Sequence, residues 1–155
     1  THSHTEWTWP TAHEDGVTLP AAYLCPDSEK GQPADHDCAV EPLLALGYAV
    51  GNLSVSGTVP VGAQTLDLSV GHLQQSTGGG AVTGATVQYS TDDGKTWQDA
   101  AVTGTGDGHY RATYTVTADP WPGILGYVSL RVTATDAAGG TVSETTTRAY
   151  RLVYQ

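Results

Sequence analysis

The chain has 155 residues, a formal net charge of −10, no Phe or Met, and only 14% charged side chains. Its few cations (Lys30, Lys95, Arg111, Arg131, Arg148 and Arg151) argue against a phosphate-neutralising nucleic-acid surface and against an anionic membrane. No apolar run approaches the ~20 residues needed to span a bilayer, so membrane insertion is not expected.

At this length one domain is the natural expectation, large enough to bury roughly 70% of the surface its unfolded form exposes. Thr, Val and regularly placed Gly read as β-structure. Residues 1–40 read as an irregular N-terminal segment lying on a β-sandwich formed by residues 41–155. Within that segment THSHTEWTW can form one strand, and Pro10, Pro20, Pro26 and Pro33 punctuate the remainder. Any helix would be brief, around Glu41 to Leu46. Leu53, Val55 and Val59 then stand in near alternation, and Thr65 to His72 alternates cleanly through Leu66, Leu68 and Val70. Gln74 to Gly80 is a polar, Gly-rich turn.

Ala85 to Trp97 reads as a central hairpin. A strand carrying Ala85, Val87 and Tyr89 on one face meets a turn at Asp92-Asp93-Gly94, and a strand resumes at Thr96 and Trp97. Gly104 to Gly108 is a further turn. Tyr110, Ala112, Tyr114 and Val116 alternate, and a bend comes next at Asp119 to Gly123. Tyr127 to Thr135 is the strongest strand, with Val128, Leu130, Val132 and Ala134 on one face. Asp136 to Gly140 turns the chain into a final strand, Thr141 to Tyr154. About seven to nine strands at this spacing, without helical periodicity, predict an antiparallel sandwich. No repeat of 20 to 50 residues is present, which disfavours a propeller.

The two cysteines, Cys25 and Cys38, enclose a loop rich in Pro, Asp, Gly and Lys. A disulfide between them would staple that loop, worth roughly 3 kcal/mol in the chain-entropy account. It would also place the chain in an oxidising, extracellular setting. Zinc through this pair is disfavoured, because neither a CxxC nor a second cysteine pair accompanies it. The missing initiator Met and signal segment point to a processed or excised fragment.

Four constellations are candidates for chemistry. Ser90, Asp92, Gly94, Thr96 and Trp97 fit Ser-x-Asp-x-Gly-x-Thr-Trp, which resembles the Asp-box hairpin of sialidases. The favoured reading is a structural turn, with glycan contact through Trp97 as the other. His2, His4 and Glu6 would share one face of a strand and could hold a transition metal, with His13 or His36 adding a ligand. Calcium could use Asp92, Asp93, Asp107, Asp119 or Asp136, although no EF-hand spacing is present. No cofactor is the primary expectation. Trp7, Trp9 and Trp121, with Tyr110, Tyr114 and Tyr127, would either fill the core in place of Phe or form an aromatic ligand-binding strip. Adjacent carboxylates, Glu14-Asp15 and Asp92-Asp93, would point to opposite faces of a strand, which works against glycosidase chemistry. Asn52-Leu53-Ser54 is a glycosylation sequon.

The run GYVSLRVTATDAAGGTVSETTTRAYRL resembles the C-terminal end of secreted actinobacterial subtilisin-like serine proteases. ATVQYSTDDGKTW with its adjoining turn and strand is similar to the same region. So is the layout of TEWTW, Leu-Pro, a Cys, then Cys38 and PLLAL. In that family this region comes after the protease domain and is similar to immunoglobulin- or fibronectin-like sandwiches. The resemblance implies a non-catalytic accessory domain serving stabilisation or partner and substrate binding. Its partners would be the parent protease domain, another protein or a carbohydrate. The catalytic His-Gly-Thr and Gly-Thr-Ser contexts are missing, and no Gly-x-Ser-x-Gly occurs, so no catalytic residue carries over and the domain itself is not expected to be an enzyme. The alternative is an independent secreted binding or structural subunit that takes a carbohydrate or protein, or assembles through edge strands.

Overall fold

The structure, a computed structural model, describes residues 1–12, 19, 39–117 and 126–154. Ten strands make up its regular part. They are β1 (His2–Thr8), β2 (Leu44–Val50), β3 (Thr58–Pro60), β4 (Gly62–His72) and β5 (Val82–Ser90), then β6 (Gln98–Asp99), β7 (Ala101–Gly106), β8 (His109–Val116), β9 (Tyr127–Asp136) and β10 (Thr141–Val153). One sheet has the order β1-β10-β9-β5-β6, with β3 also paired to β10; the other has the order β2-β4-β8-β7. All pairings are antiparallel except β3 with β10. No helix occurs among the described residues.

Period-two alternation builds the core, because successive side chains of a strand face opposite sides. In β4, Gln64, Leu66, Leu68 and Val70 are buried while Ala63, Thr65 and Asp67 face solvent. β8 does the same with Ala112, Tyr114 and Val116, and β9 with Val128, Leu130, Val132 and Ala134. Val87 and Tyr89 of β5, Val142, Tyr150 and Leu152 of β10, and Val59 of β3 join them. Burying a Val or Leu of this set stabilises the fold by about 1.5–3 kcal/mol each.

Tyrosine takes the place of the missing Phe. The Tyr89 and Tyr114 rings stack with centroids 4.6 Å apart, and the Tyr114 and Tyr150 hydroxyls share a buried hydrogen bond of 2.8 Å across the two sheets. Burial pushes both of these phenols above their ordinary pKa. Tyr150→Phe strands the Tyr114 hydroxyl and is expected to cost about 1–2 kcal/mol in urea unfolding. Adding Tyr114→Phe removes the stranded group, so the double variant should cost less than the sum of the two singles.

Several sequence expectations need correction. Leu44–Leu46 belong to β2 rather than to a short helix: their backbone pairs in register with Val70–His72 of β4. Pro42, which has no N–H to donate, is buried just ahead of them. Leu53 and Val55 do not alternate into the core; they are 47% and 112% exposed on the loop between β2 and β3. That loop is held by the Ser54 hydroxyl, which bonds the hydroxyls of Ser56 and Thr58, and only Val59 turns inward. The strand after the Asp92 turn resumes at Gln98, not at Thr96, and it lies at a sheet edge rather than centrally. The described residues alone hold ten strands against the expected seven to nine, β3 and β6 being only three and two residues long.

The N-terminal strand is regular. All seven residues of β1 pair with Thr141–Thr147 of β10. Beyond Thr147 a bulge interrupts β10, with Arg148 at φ 55°, and the same edge of β10 then accepts β3 at Arg151–Val153. The bulge is therefore where one edge changes neighbours.

Candidate functional site

The turn from Ser90 to Trp97 grows out of the end of β5. Ser90 is buried, and its hydroxyl donates to Asp92 Oδ1 at 2.7 Å while accepting the Gly94 amide at 2.9 Å. Asp92 also accepts the Thr96 amide on Oδ1 at 2.9 Å and the Thr96 hydroxyl on Oδ2 at 2.6 Å. These bonds, the Thr96 hydroxyl first, hold its carboxyl far below the usual carboxylate range. Gly94 sits at φ 85°, and its missing side chain leaves room for the Trp97 indole. This network explains the late return of the strand: Thr96 is held by Asp92 and cannot also join a ladder.

The turn is pinned from outside. Arg148, projecting from the β10 bulge, forks onto Asp93 with bonds of 2.8 and 2.7 Å and lies 5.3 Å from the Tyr127 ring centre. Arg131 stands 4.1 Å over the Trp97 ring, a cation–π contact. On the other sheet Arg111 forks onto Asp67 at 2.7 and 3.1 Å. Asp67 and Asp93 are likewise held below their ordinary pKa by these guanidinium bonds. An NMR pH titration of the side-chain carboxyls should find Asp67, Asp92 and Asp93 ionised below about pH 3.9, where a free Asp is half protonated.

A second cluster lies on β1. His2, His4 and Glu6 share a face, and His4 Nε2 lies 3.1 Å from Glu6 Oε1 with both side chains exposed. On the opposite face Thr5 donates to Glu144 at 2.9 Å, and the Trp7 indole donates to the Leu44 carbonyl of β2 at 2.9 Å. Trp7 remains 44% exposed. Trp9, just past the strand, donates to Glu41 at 2.7 Å, and Thr11 donates to the other oxygen of that carboxylate. Trp7 and Trp9 thus tie β1 to the start of β2 through their N–H groups and stand at the rim, outside the core. Burial and the nearby Glu144 carboxylate raise the Tyr48 phenol well above its ordinary pKa.

No family model and no curated protein matches this chain. Among the described residues no group of three or more His, Cys, Asp or Glu is placed to hold a metal. Asp107 sits in the β7–β8 turn and Asp136 ends β9, both remote in sequence from Asp92 and Asp93. Cys25, Cys38, Trp121, His13, His36, Asp119, Glu14 and Asp15 lie outside the described residues.

One site matches no motif in the sequence. His72, at the end of β4, meets Asp136, at the end of β9, with Nε2 and Oδ2 2.8 Å apart. The Asp136 side chain is 2% exposed, and its Oδ1 accepts the Ala138 and Gly140 amides at 2.9 and 2.7 Å. The sequence carries half the signal, since Asp136 opens an evident turn. It does not show that His72 ends its strand opposite, on the other sheet.

Proposed function

We propose that this chain is a non-catalytic accessory β-sandwich module of a secreted subtilisin-like serine protease, stabilising that enzyme or holding a partner for it. The observation that carries the reading is where the carboxylates are used. Asp92 is consumed by its own turn, Asp93 and Asp67 by arginines, Asp136 by His72 and a hairpin, and Glu41 by Trp9 and Thr11. A hydrolase keeps a carboxylate or nucleophile poised beside a reacting atom. Here these groups hold the scaffold together instead.

The strand order supports an immunoglobulin- or fibronectin-like type for the sandwich. The sheet β2-β4-β8-β7 corresponds to strands ABED of that fold, and β10-β9-β5 to GFC. Under this reading β3 is the second half of a divided first strand and β1 is an addition to the G edge. A disulfide between Cys25 and Cys38 and an extracellular location belong to the same proposal.

The test has two arms. The chain alone should show no turnover of peptide or ester substrates. The gene's full reading frame should encode a subtilisin-type Asp, His and Ser set upstream, and deleting this module should lower the enzyme's thermal midpoint more than its kcat. A reading frame without a protease overturns the proposal.

A further inference from the structure

The edges of the two sheets are not protected alike. β6 is two residues long, and β3 is three and ends in Pro60. β7 is interrupted by a register shift between Gly104 and Gly106. The first carbonyl of β2, that of Leu44, is taken by the Trp7 indole. These are the devices by which sheets avoid pairing with other chains. β1 has none of them. It runs seven residues in unbroken register, without Gly, Pro or Lys, and every residue but Thr5 is exposed. Among the described residues no strand lies beyond it.

We infer that the outer edge of β1 pairs antiparallel with β1 of a second copy of this chain, joining two sandwiches through one continuous sheet about a two-fold axis at Thr5. A continuous sheet requires paired residues to share a face, so only registers centred on a residue are admissible. Centring on Thr5 is the register that pairs all seven residues. It sets His4 opposite the partner's Glu6, Glu6 opposite the partner's His4, and Ser3 opposite the partner's Trp7. Centring on Glu6 would oppose two carboxylates, and centring on His4 would oppose two imidazoles. Charge complementarity and overlap therefore select the same register. The neighbouring positions of β10 on that face, Ser143, Thr145 and Thr147, carry no charge; the next charge along the row is Arg131 of β9.

The inference goes beyond the accessory-module reading and does not depend on it. Its test is sedimentation equilibrium over a concentration series with the full chain. The wild type should approach twice the 16.1 kDa chain mass. His4→Glu places two carboxylates opposite each other at two symmetric positions, and Glu6→Lys removes both carboxylates and sets an ammonium opposite each imidazole; each should raise the dimer Kd about tenfold. Mixing the two variants sets unlike charges opposite each other again and should restore the wild-type Kd as a heterodimer. Circular dichroism reports whether each variant is folded. If either is not, amide exchange of Ser3 to Trp7 in the wild type should slow as concentration rises. A chain that stays monomeric throughout overturns the inference. Variants that dimerise as tightly as wild type overturn it as well.

Discussion

Asp136→Ala is expected to destabilise the protein by about 3 kcal/mol, which lowers the thermal midpoint of a chain this size by roughly 6–12 °C. The carboxylate joins the two sheets through His72 and closes the β9–β10 hairpin through Ala138 and Gly140. Alanine leaves an imidazole and two amides without their acceptor at a site 2% exposed. Asp136→Asn separates the two roles. Both amides use Oδ1, which asparagine keeps, while its NH2 would face His72. The Asn variant should cost only about 1 kcal/mol, the loss of the His72 contact alone.

The same residue sets part of the acid response. Burial alone would raise the Asp136 pKa, but the His72 bond and the Gly140 and Ala138 amides outweigh it and hold the carboxyl below its usual range. A group whose pKa is depressed by folding stabilises the native state above its unfolded pKa, about 3.9 for Asp. That contribution should be complete above this value and fade as pH falls through the lower folded pKa. Urea midpoints measured from pH 6 to pH 2 should fall steeply below about pH 4 in the wild type and less steeply in Asp136→Asn.

Gly108→Ala should be as damaging, at about 3 kcal/mol, for a reason local to the β7–β8 turn. Gly108 has φ 74°, and a Cβ added there would meet the Val70 carbonyl oxygen. The Gly108 carbonyl also accepts the Val70 amide at 2.8 Å, so relieving the clash strains that bond. Gly57 is the control. Its φ is 73°, but nothing lies within 4 Å of an added Cβ. Gly57→Ala therefore reports the left-handed backbone cost alone, about 1 kcal/mol. Chemical denaturation of the two variants side by side isolates the steric part. Equal losses would show that backbone conformation, not the Val70 carbonyl, decides the outcome.

Strands with one face in the core are readable from sequence. Leu66, Leu68 and Val70, Tyr110 to Val116, and Val128 to Ala134 alternate because the pleat forces every second side chain inward, and the structure buries most of those positions. Elements defined by partners are not readable. Leu44–Leu46 resemble one helical turn until β4 offers them a ladder, and Leu53 and Val55 resemble strand residues until the loop turns them outward. At the Asp92 turn the residue types are legible but the reach of their network is not, so the expected strand starts two residues early. The pairs His72–Asp136 and Arg148–Asp93 join residues far apart in sequence, and the second depends on a bulge that nothing local announces.

The placement of the described aromatic residues divides their optical signals. Trp7 and Trp9 stand at the N-terminal rim and Trp97 at the outer turn, whereas Tyr89, Tyr114 and Tyr150 occupy the interior. Emission from these three indoles therefore tracks events at the margin, such as detachment of β1 or opening of the Asp92 turn. Near-ultraviolet dichroism from the stacked phenols tracks loss of the interior. A denaturation experiment watched by both should give an earlier change in emission than in dichroism, so agreement between probes is a poor test of two-state unfolding here unless the rim is first locked in place.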